Sequence, residues 1–327
     1  MSKNPTTHPR PMPGLMGLIR KLGNKPETIL ASVRRKRGNR VCLLLPDPLN
    51  ELGPQLAVHL QRIARTTGLR VYVAFGVDQE ESQHILNCAM RGEIDAIVNF
   101  GGVLPRVFQK AQKAGIPVIT DAIQPGWADH VIVDPQQIGR LACSHLLNLG
   151  HRRVMALRRS QYEGNSLSEG CREAFKEAGV SENRLQIQIA GPSMEEIEQA
   201  ITEVIKSRRL PDAMVAWSDH CAEICMTLMI RNGIRIPSGM GLVGVGDVPT
   251  APYMPVPLTT VRIPVGRLAS RIVECLKRRM GTSTAAPLVE ALEPELVVRE
   301  SCGAALKKKQ SEIETSWNFP EPPESNQ

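Results

Sequence analysis

From Arg40 onward the chain alternates short apolar runs with longer stretches in which apolar residues recur every three or four positions. "RVCLLLPD" reads as a strand, and "LGPQLAVHLQRIARTTG" as an amphipathic helix stopped by Gly68. "LRVYVAFG" and "EESQHILNCAMRGE" repeat the pair. "IDAIVNFG" and "IPVITD" are strands on either side of "LPRVFQKAQKAG", a helix ended by Gly115. Strand-sized runs separated by helix-sized amphipathic segments predict a parallel, doubly wound α/β sheet.

The alternation continues through "VIVDPQQIGRLACSHLLNLGH", where Asp134 suits an N-cap, Pro135 the first helical position and Gln137 the third position of a capping box. "RRVMALRR", "SLSEGCREAFKEAG", "RLQIQIAG", "MEEIEQAITEVIKSRR", "DAMVAWSD", "HCAEICMTLMIRNG" and "GLVGVGD" carry it to Asp247. Two successive blocks, about 40–159 and 160–250, predict two Rossmann-like lobes. The 327 residues suffice for two moderate cores. The polar, proline-bearing segment 303–327 is expected to be disordered.

Charge changes this picture at one end. Residues 1–40 hold ten Lys/Arg against one acid, Glu27, whereas the remainder carries 30 basic and 32 acidic residues. A basic arm on a near-neutral body points to a polyanionic partner. The apolar runs are strand-sized, far short of a bilayer span. The start "MSKNPTTHPRPMPG" has no apolar leader core, so a cytoplasmic location with no membrane partner is expected.

Chemistry-bearing motifs are sparse. "VGVGDV" has Gly244 and Gly246 but neither the third glycine nor the following helix of a nucleotide loop. His151 follows a helix-ending Gly150, where a cation suits the helix C-terminus without catalysis. Eight cysteines lie scattered without a C-x-x-C pair. His220, Cys221 and Cys225 form the densest group, and buried thiols explain it better than a metal. A protein that is not an enzyme, with no cofactor and no metal, is the expectation.

Several stretches carry a family likeness. "VDPQQIGRLACSHLLNLGHRRVMAL", "GLVGVGDVPTAPYMPVPLTTVRIPVGRLASRIVECL" with its Pro257-Leu258-Thr259-Thr260-Val261 core, and "LVVRES" (Leu296–Ser301) resemble the lactose-repressor (LacI/GalR) family of transcriptional regulators. The resemblance spans about residues 22–302. It implies a periplasmic-binding-protein-like (type I) fold with parallel sheets and three inter-lobe crossovers, near Ser160, Leu258 and Pro287. The N-lobe is then about 40–159 and 259–286, and the C-lobe about 160–258 and 287–302. It also implies a homodimer, a DNA operator and a small, sugar-like effector held between lobes, with DNA affinity as the output; a free small-molecule binding protein is the alternative.

"LGNKPETILASVRRKRGN" stands where the family has its "G-Y-x-P-N-x-x-A-R-S-L" hinge, with Pro26 and Ser32 matching and Val33 at the leucine position. In residues 22–39 the resemblance makes Ser32, Val33, Arg34, Arg35, Lys36 and Arg37 the DNA contacts, a minor-groove wedge followed by phosphate-facing charge. Residues 1–21 contain Pro5, Pro9, Pro11 and Pro13, which exclude a helix-turn-helix there, so the family's reading domain is expected to be missing or truncated. The pocket departs too. The first acid of the family's Asp-Asp pair falls on Gly246, its arginine on Leu167 and its Asn on Ser218. The expected effector-binding residues are Asn50, Asp121, Trp127, Trp217, Ser218 and Asp247, with Asp134 and Asp219 as helix caps.

Overall fold

A computed structural model describes residues 39–45, 52–76, 79–100, 105–121, 127–159, 166–191, 193–207, 209–281 and 286–305. They form two compact units, each built on a six-stranded sheet. The first contains β1 (Arg40–Leu45), α1 (Leu52–Thr67), β2 (Arg70–Phe75), α2 (Gln79–Met90), β3 (Ala96–Asn99), α3 (Pro105–Lys113), β4 (Val118–Thr120), β5 (Asp129–Val133) and β11 (Val289–Leu292), in sheet order β11-β5-β4-β3-β1-β2. The second contains α4 (Pro135–Asn148), β6 (Val154–Arg158), α5 (Ser166–Glu177), β7 (Leu185–Ile189), α6 (Met194–Lys206), β8 (Ala213–Val215), α7 (Asp219–Arg231), β9 (Gly241–Gly246), β10 (Thr259–Arg262) and β12 (Glu295–Val297). Its order is β12-β10-β9-β8-β6-β7, and α8 (Val265–Gly281) follows β10. β1 pairs in parallel with β2 and β3, and β6 with β7 and β8, while β12 runs antiparallel to β10. The α/β class and the parallel, doubly wound sheets are thus as expected.

Sheet membership moves the crossing points. β6 lies between β7 and β8 in the second sheet, so the chain leaves the first unit after Val131 and not near Ser160. β10 pairs with β9, which delays the return until after Leu268 instead of Leu258. The last passage falls within β11, between Val289 and Glu290. Hydrophobic alternation marks strands but not their partners; pairing is a long-range choice, and that choice sets the boundary.

Local chemistry explains the elements that frame the second unit. The Asp134 carboxylate accepts from the Gln136 N–H at 2.9 Å and Pro135 occupies the first turn, so α4 starts there. At its other end the Gly150 N–H bonds the Leu147 carbonyl and the His151 N–H bonds that of Leu146, with Gly150 at φ +96°. This double closure needs a left-handed residue, for which glycine carries no Cβ penalty. The ring of His151 does not serve α4; its Nε2 donates to the Cys302 carbonyl at 3.0 Å and fastens the end of the domain.

Helices α4 and α5 touch backbone to backbone. A Cβ on Gly170 would fall onto the Gln136 carbonyl oxygen and lie 2.7 Å from the Arg140 nitrogen; one on Gly139 would fall onto the Leu167 carbonyl. The approach lets Ile138, Ala142, Cys143, Cys171, Ala174 and Phe175 close a core with Val154, Val215, Val243 and Val261 from the sheet. The opposite face packs α6 and α7, and Cys221 and Cys225 are buried there as apolar filling.

One buried ion pair anchors the first unit. Arg279 on α8 donates from Nε and Nη2 to the two oxygens of Asp129 on β5, each at 2.6 Å, and the Leu288 N–H adds a third bond at 2.7 Å. Burial pulls the Asp129 carboxyl up, but the Arg279 and Leu288 hydrogen bonds and the Arg279 charge outweigh it and hold it below its ordinary value. The pair ties α8 and the approach to β11 onto the sheet.

Candidate functional site

In an open α/β sheet the ligand-binding edge is the carboxyl end of the strands, at the point where strand order reverses. In the second unit that point lies between β6 and β8. Arg159 follows β6 and Trp217 follows β8. The guanidinium carbon of Arg159 lies 5.8 Å from the centre of the Trp217 ring, a cation–π contact at the reversal itself. Trp217 packs its apolar part on the α6/α7 core, and its buried indole N–H has no hydrogen-bond partner among the described residues.

The neighbouring acids are engaged differently from expectation. Ser218 is the cap of α7, its hydroxyl accepting from the Cys221 N–H at 3.1 Å. Asp219, expected as that cap, is instead fully buried. It accepts from the Val248 N–H at 2.9 Å and from the Thr260 hydroxyl at 2.6 Å. A Cβ on Gly244 would collide with the Asp219 carboxylate, so the glycine makes room for it. Burial raises the Asp219 carboxyl, and the Thr260 and Val248 hydrogen bonds only partly offset that.

Asp247 sits in the left-handed region, at φ +57°, a conformation aspartate tolerates better than most residues. Its Oδ2 accepts from Arg262 Nε and its Oδ1 from Arg299 Nη2, both at 2.6 Å. Arg299 also donates to the Leu258 carbonyl at 2.7 Å, and Arg262 to Glu295 at 2.9 Å. Burial raises the Asp247 carboxyl, but the two guanidiniums prevail and hold it low. Each oxygen takes one guanidinium bond in strand-tying, so Asp247 frames the site. The two threonines of "PLTTV" belong to the same frame. Thr259 accepts from the Arg299 N–H at 2.9 Å, and Thr260 accepts from the Asp247 N–H at 3.3 Å while donating to Asp219.

In the first unit the order reverses between β1 and β3. Asn99 ends β3 at 1 % exposure, with both amide atoms buried and unpartnered among the described residues. It stands in register with Leu44 on β1 and Thr120 on β4. Asp121 follows Thr120, half-buried, and Trp127 lies before β5 against the core, its buried indole N–H without a partner among the described residues. Asn50 and the hinge residues Ser32, Val33, Arg34, Arg35, Lys36 and Arg37 lie outside the described residues.

The structure thus gathers Trp217, Ser218 and Asp247 on one sheet edge, and Asp121 on the carboxyl edge of the other. Sequence reasoning missed Asn99, Arg159, Arg262 and Arg299. A polar residue closing the otherwise apolar run "DAIVN" was the available signal for Asn99; the arginines had none, because their partners lie far along the chain.

Comparison with known proteins places these edges in context. Residues 143–302 match the periplasmic binding protein-like domain model. The HTH-type transcriptional regulator GalS of Salmonella typhimurium is 28% identical over 229 residues, covering 68% of this chain and 67% of that protein. A LacI-family regulator structure from Sanguibacter keddieii superposes with TM-score 0.70 at 28% identity, over 82% of this chain and all of that one. A ribose-bound LacI-family regulator from Enterococcus faecium gives TM-score 0.73 at 20% identity, over 80% and 98%. Both sheets and these relatives agree with the resemblance carried by "PLTTV": the chain contains a periplasmic binding protein-like domain and is similar to transcriptional regulators of the lactose-repressor (LacI/GalR) family.

Proposed function

We propose that the protein is a cytoplasmic, homodimeric transcriptional regulator that binds a small sugar-like effector at the carboxyl edges of its sheets and changes its affinity for DNA in response. The observation that carries this reading is the placement of Arg159 with Trp217, and of Asn99, at the two points of strand-order reversal. Polar atoms buried without partners are costly, roughly 1–3 kcal/mol each, and a hydroxylated ligand at such an edge would supply the missing bonds. Asp121 and Trp217, with Asn50, are the proposed effector contacts; Trp127 stands before β5, at the amino end of that strand, and so off this edge. Ser218 and Asp247 position the wall around them. The ribose held by the Enterococcus faecium relative supports a sugar-like ligand.

The DNA contacts are the hinge residues Ser32 to Arg37, supported by the charge of residues 1–40 and by the regulators this chain is similar to. The dimer reading is supported by β2, an edge strand that exposes Tyr72 (54%) and Phe75 (42%). No helix among the described residues is long and apolar enough to cross a membrane.

The test pairs two measurements on the full chain: thermal stability with a panel of pentoses, hexoses and disaccharides, and binding to genomic duplex fragments with and without any stabilising sugar. A sugar that raises Tm and shifts DNA affinity is the expected result. A sugar that raises Tm while no DNA is bound at low salt would leave a free binding protein and sink the regulator reading.

A further inference from the structure

Strands β7, β6, β8 and β9 lie side by side, with Val154 opposite both Leu185 and Ala213, and Ala213 opposite Gly241. Their amino ends therefore share one rim, on the side of the sheet away from Trp217 and Asp247. Each strand is preceded on this rim by an exposed arginine: Arg184 before β7, Arg153 before β6, Arg209 before β8 and Arg235 before β9. None of these four side chains has an ion-pair or hydrogen-bond partner among the described residues. Lys206 and Arg231, in the last turns of α6 and α7, add two more exposed cations.

The acids nearby only partly offset the row. Asp212 accepts from the backbone N–H groups of Arg152 and Arg153 at 3.0 and 2.8 Å and leaves one negative charge beside Arg153, while Glu182 pairs with Arg172 at 2.8 Å. Helix dipoles account for Lys206 and Arg231, since a cation is favoured at a helix C-terminus. They do not account for Arg153, Arg209 and Arg235, which lie in loops that lead into strands, beside Arg184 at the end of the short 3-10 turn Glu182–Arg184.

The chemistry of the row selects its partner. Guanidinium groups match phosphate oxygens with paired donors, which a lysine row does not. Neighbouring strands lie about 4.8 Å apart, so four of them spread the arginines over roughly 15 Å. One strand of a duplex offers a charge about every 3.4 Å of axis, or about four phosphates over that length. A protein partner would need a desolvated apolar centre, and the large apolar side chain exposed near this rim is Ile230 alone among the described residues.

We infer that this rim binds the phosphate backbone of duplex DNA without reading its sequence, as a second nucleic-acid contact apart from the hinge. The two contacts give one molecule the means to hold two DNA segments, or to gain non-specific affinity beyond what the hinge supplies.

The experiment is fluorescence anisotropy of the full chain on a short duplex of arbitrary sequence, between about 50 and about 200 mM salt. A rim variant (Arg153→Gln, Arg184→Gln, Arg209→Gln, Arg235→Gln) is compared with a hinge variant (Arg34→Gln, Arg35→Gln, Lys36→Gln, Arg37→Gln) and with their combination. The salt slope of log affinity should become shallower by about 3–4 on removing the rim arginines, in both hinge backgrounds. The rim side chains are exposed, so Tm should not move. An unchanged slope in the rim variant overturns the proposal while leaving the regulator reading intact. Competition by polyglutamate as effective as by duplex also overturns it, because the rim would then be a general surface for acidic proteins. Loss in the rim variant with none in the hinge variant supports the rim and removes the hinge reading.

Discussion

Replacing Gly170 by alanine sets two effects of opposite sign against each other, and the structure decides between them. In a solvent-exposed helix interior the change would stabilise by about 1 kcal/mol, because glycine is the poorer helix former. Here the new methyl would fall onto the Gln136 carbonyl oxygen, 2.7 Å from the Arg140 nitrogen and 2.8 Å from the Gln136 carbonyl carbon. All three are backbone atoms of α4, so no side-chain rotation relieves the clash. Carbon contacts are comfortable at about 3.5–4.0 Å, so α5 must retreat by about 1 Å. A radial gap of that size forfeits a quarter to a half of the dispersion well for each facing atom. The atoms concerned belong to Cys143, Cys171, Ala174 and Phe175, all buried. Overpacking costs typically 1–3 kcal/mol and occasionally more; with the opened core added, a net loss of about 3 kcal/mol is expected after the propensity gain. In a domain of this size that lowers Tm by roughly 6–12 °C, readable by calorimetry. Gly139→Ala should cost a similar amount. The double variant should lose less than the sum, because one retreat of α5 relieves both clashes. A Gly170→Ala protein with unchanged or raised Tm would refute the close backbone approach.

Three further outcomes are expected. Arg279→Met leaves the buried Asp129 carboxylate with only the Leu288 N–H and the Arg278 guanidinium at 3.7 Å, and should destabilise by about 3 kcal/mol, the low end for a broken buried pair, measured as a shift in urea midpoint. Since the Asp129 carboxyl is held low in the folded state, the contribution of the pair is fully present above the unfolded value of about 3.9. It is lost as pH falls through the lower folded value, so the wild-type advantage over Arg279→Met should shrink in acid. Asn99→Ala removes two unpartnered buried polar atoms, so the ligand-free Tm should hold or rise, while the Tm increase given by the best sugar of the panel should fall by at least half; an unchanged ligand response would exclude Asn99 from the site. Tyr72→Glu on the exposed edge of β2 should convert dimer to monomer in sedimentation velocity with helix content preserved, and a dimer that survives would place the interface elsewhere.

Much of the fold was legible along the chain. The strand runs, the amphipathic helices, the Asp134 cap and the glycine stops at Gly68 and Gly150 are local, each decided by periodicity or by the conformation of a single residue. The resemblance to lactose-repressor-type regulators was legible as well, and the two hydroxyls of "PLTTV" hold the frame around Asp219 and Arg299. The basic arm was legible as charge. What the sequence by itself determined was therefore the alphabet of elements, their order, and the chemistry available at each loop.

Partnership was decided only by the tertiary structure. β6 reads as the last strand of the first block, yet it pairs inside the second sheet, and the crossing point moves with it. Asp219 reads as a helix cap, yet Ser218 takes that role and Asp219 is buried beneath Thr260, a residue 41 positions away. Asp247 reads as an acceptor for a ligand, yet it accepts from Arg299, 52 positions on. Periodicity and capping act over a few residues and leave their mark in the local sequence. Ion pairing and strand pairing join residues whose separation along the chain carries no signal, so only folding reveals which charges remain free to meet a ligand and which are already bound to the protein itself.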